Sequence, residues 1–115
     1  MITVREIAWL AGLLEGEGNF CSDPSGSLAR IKLEMKDRDI VQRAATLMGV
    51  EHIGTSKKRN PKHATTYWLY VCGQNAAGWA MTVYTFMGRR RRRAIKNMLE
   101  YWQSGAVARE ALRQQ

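Results

Sequence analysis

The sequence is organised around a glycine-rich stretch, LAGLLEGEG, at residues 10–18. Apolar residues recur at helical spacing into this stretch. Upstream, Thr3 and Glu6 lie three positions apart, which is the spacing of a capping box at a helix start. Gly18 is a residue type that commonly ends helices. The stretch therefore predicts the C-terminal part of an N-terminal helix that begins just after Thr3.

One face of this predicted helix carries almost no side chains. Ala8, Gly12 and Gly16 are four residues apart and so share a face. A glycine inside a helix costs about 1 kcal/mol relative to alanine, so two of them need a compensating contact. The spacing predicts a second helix packed closely against this one, backbone to backbone.

The acids of the stretch oppose the helix dipole. Glu15 and Glu17 lie at the predicted C-terminus, where negative charge is unfavourable. A bound cation would offset both carboxylates. The alternative is an ordinary core helix whose terminal acids are solvated, and spacing alone leaves both interpretations open.

Residues 10–18 resemble the motif of the LAGLIDADG homing endonucleases. The first four letters are intact, both glycines are present, and Glu15 and Glu17 stand at the two acid positions. The predicted order of elements agrees with that family over residues 3–102. The resemblance implies that Glu17 binds a catalytic divalent metal, that Gly16 contributes its backbone carbonyl, and that Gly12 and Gly16 form the central helix–helix contact.

The rest of the chain predicts an α+β domain with the order α-β-β-α-β-β-α-α. The predicted strands lie at residues 19–24, 28–36, 51–57 and 65–72, and the later helices at 37–48, 75–87 and 89–103. The resemblance implies an αββαββα fold, with a curved antiparallel four-stranded sheet and helices on one face. We expect one domain over residues 1–103 and, after an interruption at Ser104-Gly105, a helical tail over residues 104–115.

Alternation along the strands predicts one apolar and one polar sheet face. Ile31, Leu33 and Met35 face the core, and charged residues alternate with them. For residues 65–72 hydrophobicity does not choose the inner face, and the resemblance places Tyr67, Leu69 and Val71 inside. The resemblance implies that the outer face enters the DNA major groove, where basic side chains read base edges; the alternative is an ordinary sheet with one wet face. The candidate DNA-binding residues there are Asn19, Cys21, Asp23, Arg30, Lys32, Lys36, Lys57, Lys58, Trp68 and Tyr70.

The net charge of +8 and a pI of about 10 favour a polyanionic partner. Residues 1–50 contain six Lys/Arg and seven Asp/Glu, a net charge of −1, whereas residues 51–115 contain twelve and three, a net charge of +9. Five consecutive arginines, residues 89–93, open the last helix. They are either a solvated or localisation-like basic cluster, or a phosphate clamp that positions DNA.

The resemblance assigns roles within the arginine run. It implies a basic residue near the scissile phosphate, best matched by Arg90, with Arg89 and Arg91 also fitting. Because arginine cannot act as a base, its role would be to stabilise transition-state charge. Arg89, Arg91 and Arg92 are further candidate DNA contacts.

Other features exclude several classes of protein. Cys21 and Cys72 are free thiols by default, as expected in a reducing compartment, and with His52 and His63 they show no zinc-type spacing. The N-terminus predicts no signal peptide, and no run is long enough to span a membrane. We expect an intracellular protein that is not secreted, located in the cytoplasm or nucleoid of a microbe or phage-infected cell, or in an organelle.

The single motif copy implies a homodimer. Two chains packed through one surface would bring two Glu17 carboxylates together and require a palindromic or nearly palindromic target. The candidate interface residues are Ala8, Gly12, Glu15 and Gly16, with Glu15 structural at this contact or at nearby helix ends. The expected metal is Mg²⁺, with Mn²⁺ also supporting cleavage and Ca²⁺ supporting binding alone, and no small-molecule substrate is expected.

Besides a site-specific DNA endonuclease of the kind encoded by mobile introns or inteins, two other functions are consistent with the sequence. The first is a DNA- or RNA-binding protein that does not cleave, such as a splicing cofactor or regulator. Some family members have a polar residue, often glutamine, that positions the water nucleophile where this chain has Met35, with Lys36 the neighbouring polar candidate. That departure favours the binder, whereas Glu17 favours the enzyme. The other is a general interaction module, which leaves the glycines and paired acids unexplained.

Overall fold

A computed structural model of the chain describes residues 2–22, 29–56 and 64–113, with side chains through residue 104. The predicted element order is confirmed. The elements are α1 (Val4–Glu17), β1 (Gly18–Ser22), β2 (Ala29–Met35), α2 (Arg38–Met48), β3 (Gly54–Ser56), β4 (Thr66–Cys72), α3 (Gly73–Val83) and α4 (Arg89–Arg113), with a 3₁₀ turn at Tyr84–Phe86.

Helix α1 begins and ends where the sequence predicts. Thr3 Oγ1 accepts a hydrogen bond from the Glu6 amide at 3.1 Å, and the Thr3 amide donates to Glu6 Oε1 at 3.2 Å, so the capping box is complete. Gly18 then turns the chain directly into β1. A Cβ on Gly18 would lie 2.8 Å from the Leu14 carbonyl oxygen, so only glycine fits between helix and strand.

The four strands form one antiparallel sheet in the order β1-β2-β4-β3. Phe20, Ile31 and Val71 lie side by side on its inner face, and Leu33 pairs with Leu69. All five are buried, in one core with residues of all four helices. The predicted α+β class, with helices packed on an antiparallel four-stranded sheet, is confirmed, as is the inward orientation of Leu69 and Val71.

Four predicted boundaries in the second half were wrong. Strand β3 begins at Gly54 rather than near residue 51. Helix α3 begins at Gly73 rather than after Asn75, because Gly73 has a φ of 64° and turns the chain straight out of β4. It ends at Val83, and the 3₁₀ turn covers Tyr84–Phe86, whereas Met87, the last predicted helical residue, has extended backbone. Helix α4 continues through residues 104 and 105, because a helix tolerates serine and glycine at a modest cost. The proposed division at residue 103 stays a prediction.

Helix α2 also begins and ends at the residues that the sequence predicts. Asp37 is the N-terminal cap of α2, acting through its backbone carbonyl, which accepts from Ile40 and Val41, rather than through its side chain. Gly49 ends the helix in the left-handed conformation, at a φ of 74°. Among the described residues, no helix combines the length and apolar character needed to cross a membrane.

Candidate metal-binding helix end and nucleic-acid interface

The C-terminal end of α1 presents Glu17 to solvent. Both Glu17 and Gly16 are exposed, and no basic residue lies in the last turn of the helix. The last carbonyls of a helix have no partner within the helix, so oxygen atoms of both kinds, carboxylate and carbonyl, are concentrated at this end. Such a donor set suits Mg²⁺ or Ca²⁺, which take oxygen ligands.

Glu15 points the other way and joins α1 to the start of α4. Its Oε2 accepts a hydrogen bond from the Gly88 amide at 3.3 Å, immediately before α4 begins. Its backbone oxygen accepts from Arg91 Nε at 3.0 Å. The carboxylate therefore lies at the positive end of α4, and a cation lies at the negative end of α1. This explains an acid that opposes its own helix dipole and gives Glu15 the helix-end role that was one of its two predicted alternatives.

The contact between α1 and the start of α4 gives the arginines of residues 89–93 different surroundings. Arg91 is half-buried against α1, so its guanidinium has an intramolecular role in addition to its predicted DNA contact. Arg92 donates to the Thr85 carbonyl at 3.1 Å and lies 5.3 Å from the centre of the Tyr84 ring. Arg89, Arg90, Arg92 and Arg93 are exposed. The sequence alone did not show which of the five arginines face the solvent.

A basic cleft of about 600 Å³ follows one side of α4. Lys96 joins the arginines there, at helical spacing from Arg92 and Arg93, and was missed by the sequence reading, although the three- and four-residue intervals were a sufficient signal. The lining residues are Tyr84, Met87, Arg89, Arg92, Arg93, Lys96, Asn97 and Glu100.

The bare face of α1 has no covering element within the described chain. Ala8, Gly12 and Gly16 are exposed. Apart from the helix's own neighbouring backbone, no described atom lies within 4 Å of a Cβ placed on Gly12 or on Gly16. The close packing that the spacing predicts is therefore not satisfied by the part of this chain that the structure describes.

On the outer face of the sheet, predicted DNA-contact residues lie opposite one another in rows that run across the strands. Asn19, Lys32 and Tyr70 form one row across β1, β2 and β4. Cys21 and Cys72 flank Arg30 in the next row, and Glu34 lies beside Trp68. Asp23, Lys57 and Lys58 lie outside the described residues.

On this face, an ion pair and a hydrogen bond join polar side chains to one another. Lys32 Nζ lies 3.6 Å from Glu34 Oε1, and Thr66 Oγ1 donates to Glu34 Oε2 at 2.6 Å. Beyond the strand, Lys36 is exposed, whereas Met35 is half-buried and packs against the core. The position at which some members of the resembled family have a polar residue therefore carries an apolar side chain that faces the interior.

No group of three or more histidine, cysteine or acidic side chains comes together among the described residues. A cation at Glu17 would thus need ligands besides the side chains of the described residues. Mg²⁺ is commonly held in this way, by one or two carboxylates together with substrate phosphates.

The sequence matches no protein-family model and none of the curated proteins with which it was compared. The fold is similar to that of the homing endonuclease I-CvuI, whose crystal structure contains its target and was determined in the presence of 2 mM Ca. The TM-score is 0.53 at 14% sequence identity, over 78% of this chain and 61% of that one.

This chain has a homing-endonuclease-like fold. The matched region spans less than two thirds of I-CvuI, so the likeness concerns the architecture. The shared architecture is α+β, with one antiparallel sheet backed by helices.

Proposed function

We propose that this chain is a site-specific double-strand DNA endonuclease of the homing type, active as a homodimer with a divalent metal. The observation that carries the proposal is the C-terminal end of α1. There the exposed Glu17 adjoins a face that nothing in the described chain covers, on a fold similar to that of a homing endonuclease. A second chain packed on that face would place two Glu17 carboxylates close together.

The oxygen donors at this end fit a hard divalent cation. Glu17 and the Gly16 carbonyl would hold it, with phosphates of the bound DNA as further ligands. A metal in this position supplies Lewis-acid stabilisation of the leaving oxygen and a water of lowered pKa. Mg²⁺ is the proposed cofactor, with Mn²⁺ as a substitute, and Ca²⁺ would support binding without cleavage.

The arginines at the start of α4 are the proposed phosphate contacts. The hydrogen bonds of Glu15 join the start of α4 to the helix that carries Glu17. Arg89 and Arg90 are exposed there, and Arg90 is the proposed group that stabilises charge on the scissile phosphate. Arg92 and Lys96 in the basic cleft would bind flanking phosphates, a contribution that positions the duplex and weakens with salt.

The outer sheet face would read the target sequence in the major groove, through the rows that contain Asn19, Arg30 and Lys32. A two-fold dimer requires a palindromic or nearly palindromic site. One observation favours the alternative of a protein that binds DNA or RNA without cutting, namely the inward, apolar Met35.

Cleavage of a plasmid library with randomised inserts tests the proposal directly. The wild-type protein should make specific double-strand cuts in Mg²⁺, and Glu17→Gln should reduce their rate by at least about 100-fold, the scale of losing one charge-stabilising group. Glu51→Gln, which removes another exposed acid far along the chain, is the matched control and should cut normally.

Binding in Ca²⁺, measured in parallel, separates the two functions. Glu17→Gln should retain the binding of wild type. Specific binding without any cutting in Mg²⁺ or Mn²⁺ would reject the enzyme and support the non-cleaving binder. Equal cutting by Glu17→Gln and wild type would reject Glu17 as the metal ligand.

A further inference from the structure

An aromatic pair lies on the outer face of β4. The rings of Trp68 and Tyr70 are nearly parallel, with an interplanar angle of 11° and centroids 5.5 Å apart. Tyr70 is 47% exposed and Trp68 is half-buried. A stacked aromatic pair with one ring exposed, on a proposed binding face, is a candidate contact for a ligand.

The neighbouring strand is shaped to accommodate this pair. Gly54 of β3 lies opposite Trp68, and a Cβ on Gly54 would overlap Cε2 and Cζ2 of the indole. The indole therefore extends across β3 in space that only glycine leaves open. A depression of about 390 Å³ remains beside the rings, lined by His52, Ile53, Gly54, Trp68 and Tyr70.

The polar side chains beside the rings are bonded to one another. Lys32 lies opposite Tyr70, and Glu34 lies opposite Trp68. Lys32 and Glu34 form the 3.6 Å ion pair along β2. Glu34 also accepts from Thr66. The centre of the outer face thus combines an ion pair with an aromatic surface, which suits contact with a base edge better than contact with a phosphate.

We propose that Trp68 and Tyr70 contact the C5-methyl group of a thymine in the major groove and make the protein selective for that base. The inference rests on the proposed function and specifies how its sheet selects DNA. The thymine methyl is the apolar group on the major-groove base edges, and apolar side chains recognise it. The depression beside the rings would accept it.

The stacking of the rings favours a base edge over a base face. Proteins that bind single strands present free ring faces on which successive bases stack. Here each ring lies alongside a face of the other, and no base enters between centroids 5.5 Å apart.

Replacement of thymine by deoxyuridine tests the contact, because it removes one methyl group and leaves the base-pairing edge intact. The target is first selected from randomised duplex DNA in Ca²⁺. Each dT of the recovered site is then replaced singly by dU. At one or more positions the Kd should rise about four-fold, the effect of burying one methyl-sized group.

Substitutions of Trp68 and Tyr70 test whether the two rings cause the sensitivity of binding to dU. Tyr70→Ser, at an exposed position, should abolish or reduce the effect of dU, and Trp68→Ser should do the same where thermal unfolding shows that it folds. Tyr70→Phe keeps the ring and should keep the sensitivity. Met81→Ser is the matched control, since Met81 is a 60% exposed apolar residue on α3, and it should leave the dU effect unchanged.

The outcomes separate this inference from the proposed function. If no duplex sequence is enriched, the proposed function fails and this inference fails with it. If a sequence is enriched but no dU position weakens binding, or Tyr70→Ser and Trp68→Ser leave the dU effect unchanged, only this inference is rejected. Tighter binding of oligo(dT) or oligo(U) single strands, dependent on the two rings, would also reject it in favour of base stacking.

Discussion

The two faces of helix α1 differ in what their glutamates contact: one is bonded within the chain and the other is exposed to solvent. Its inward face packs Leu14 in the core, and Glu15 at its edge bonds the start of α4. Its outward face leaves Gly12, Gly16 and Glu17 exposed. Substitutions on the inward face should therefore act on the stability of the chain, whereas substitutions on the outward face should act on association and cleavage.

The largest effect in this comparison is expected for Gly12→Leu on the outward face. The leucine has open space in the single chain but would hold two helix backbones apart, so the dimer dissociation constant should rise about 100-fold or more, equivalent to about 2.7 kcal/mol. Sedimentation equilibrium measures it. Gly78→Leu, at an exposed helical glycine of α3 with equally open surroundings, is the control and should still form dimers. Unchanged association of Gly12→Leu would show that the dimer uses another surface.

A smaller effect is expected for Gly18→Ala at the inward end of the helix. The new methyl group would lie 2.8 Å from the Leu14 carbonyl oxygen and 2.9 Å from its Cδ2, so the free energy of unfolding should fall by about 1–3 kcal/mol, as in overpacked cores. Urea unfolding at one fixed protein concentration measures the change, because association alters apparent stability. Gly16→Ala, two residues away in open space, should not be destabilised when both changes are compared in the Gly12→Leu chain, in which the contribution of association is removed. Equal losses at both glycines would contradict the division into two faces.

The smallest effect is expected for Glu15→Gln, which keeps the shape of the side chain and removes its charge from the start of α4. The free energy of unfolding should fall by about 1 kcal/mol, the scale of a charge at a helix terminus. Glu17→Gln is the matched variant on the outward face and should leave stability unchanged. A double-mutant cycle of Glu15→Gln with Arg91→Ala tests their coupling, since both changes act on one junction. Full additivity would mean that the two contacts are independent.

Local patterns were sufficient to predict much of the fold. The capping box at Thr3 and Glu6, the end of α1 at Gly18 and the end of α2 at Gly49 depend on residues within one helical turn. The inner face of β2 follows from two-residue alternation, which requires no knowledge of distant contacts. For β4 the aromatic residues on both faces concealed that alternation, and the resemblance to a known motif was needed.

The candidate site was predicted less completely than the fold. The motif singled out Glu17 and the glycines, and their exposure agrees with the proposed roles without testing them. Nothing in the sequence distinguishes the five consecutive arginines, because a helix points them in every direction and only its packing decides which are covered. It also missed Lys96, which joins the basic cleft from one turn further along α4.

The sequence by itself determined the extent of α1, the alternation of β2 and the excess of positive charge in the second half, because each depends on neighbouring residues or on composition. Only the tertiary structure decided that Glu15 binds the start of α4 and that Gly54 makes room for Trp68. Glu15 and Gly88 are 73 positions apart, and their contact exists only once the core has brought the end of one helix to the beginning of another.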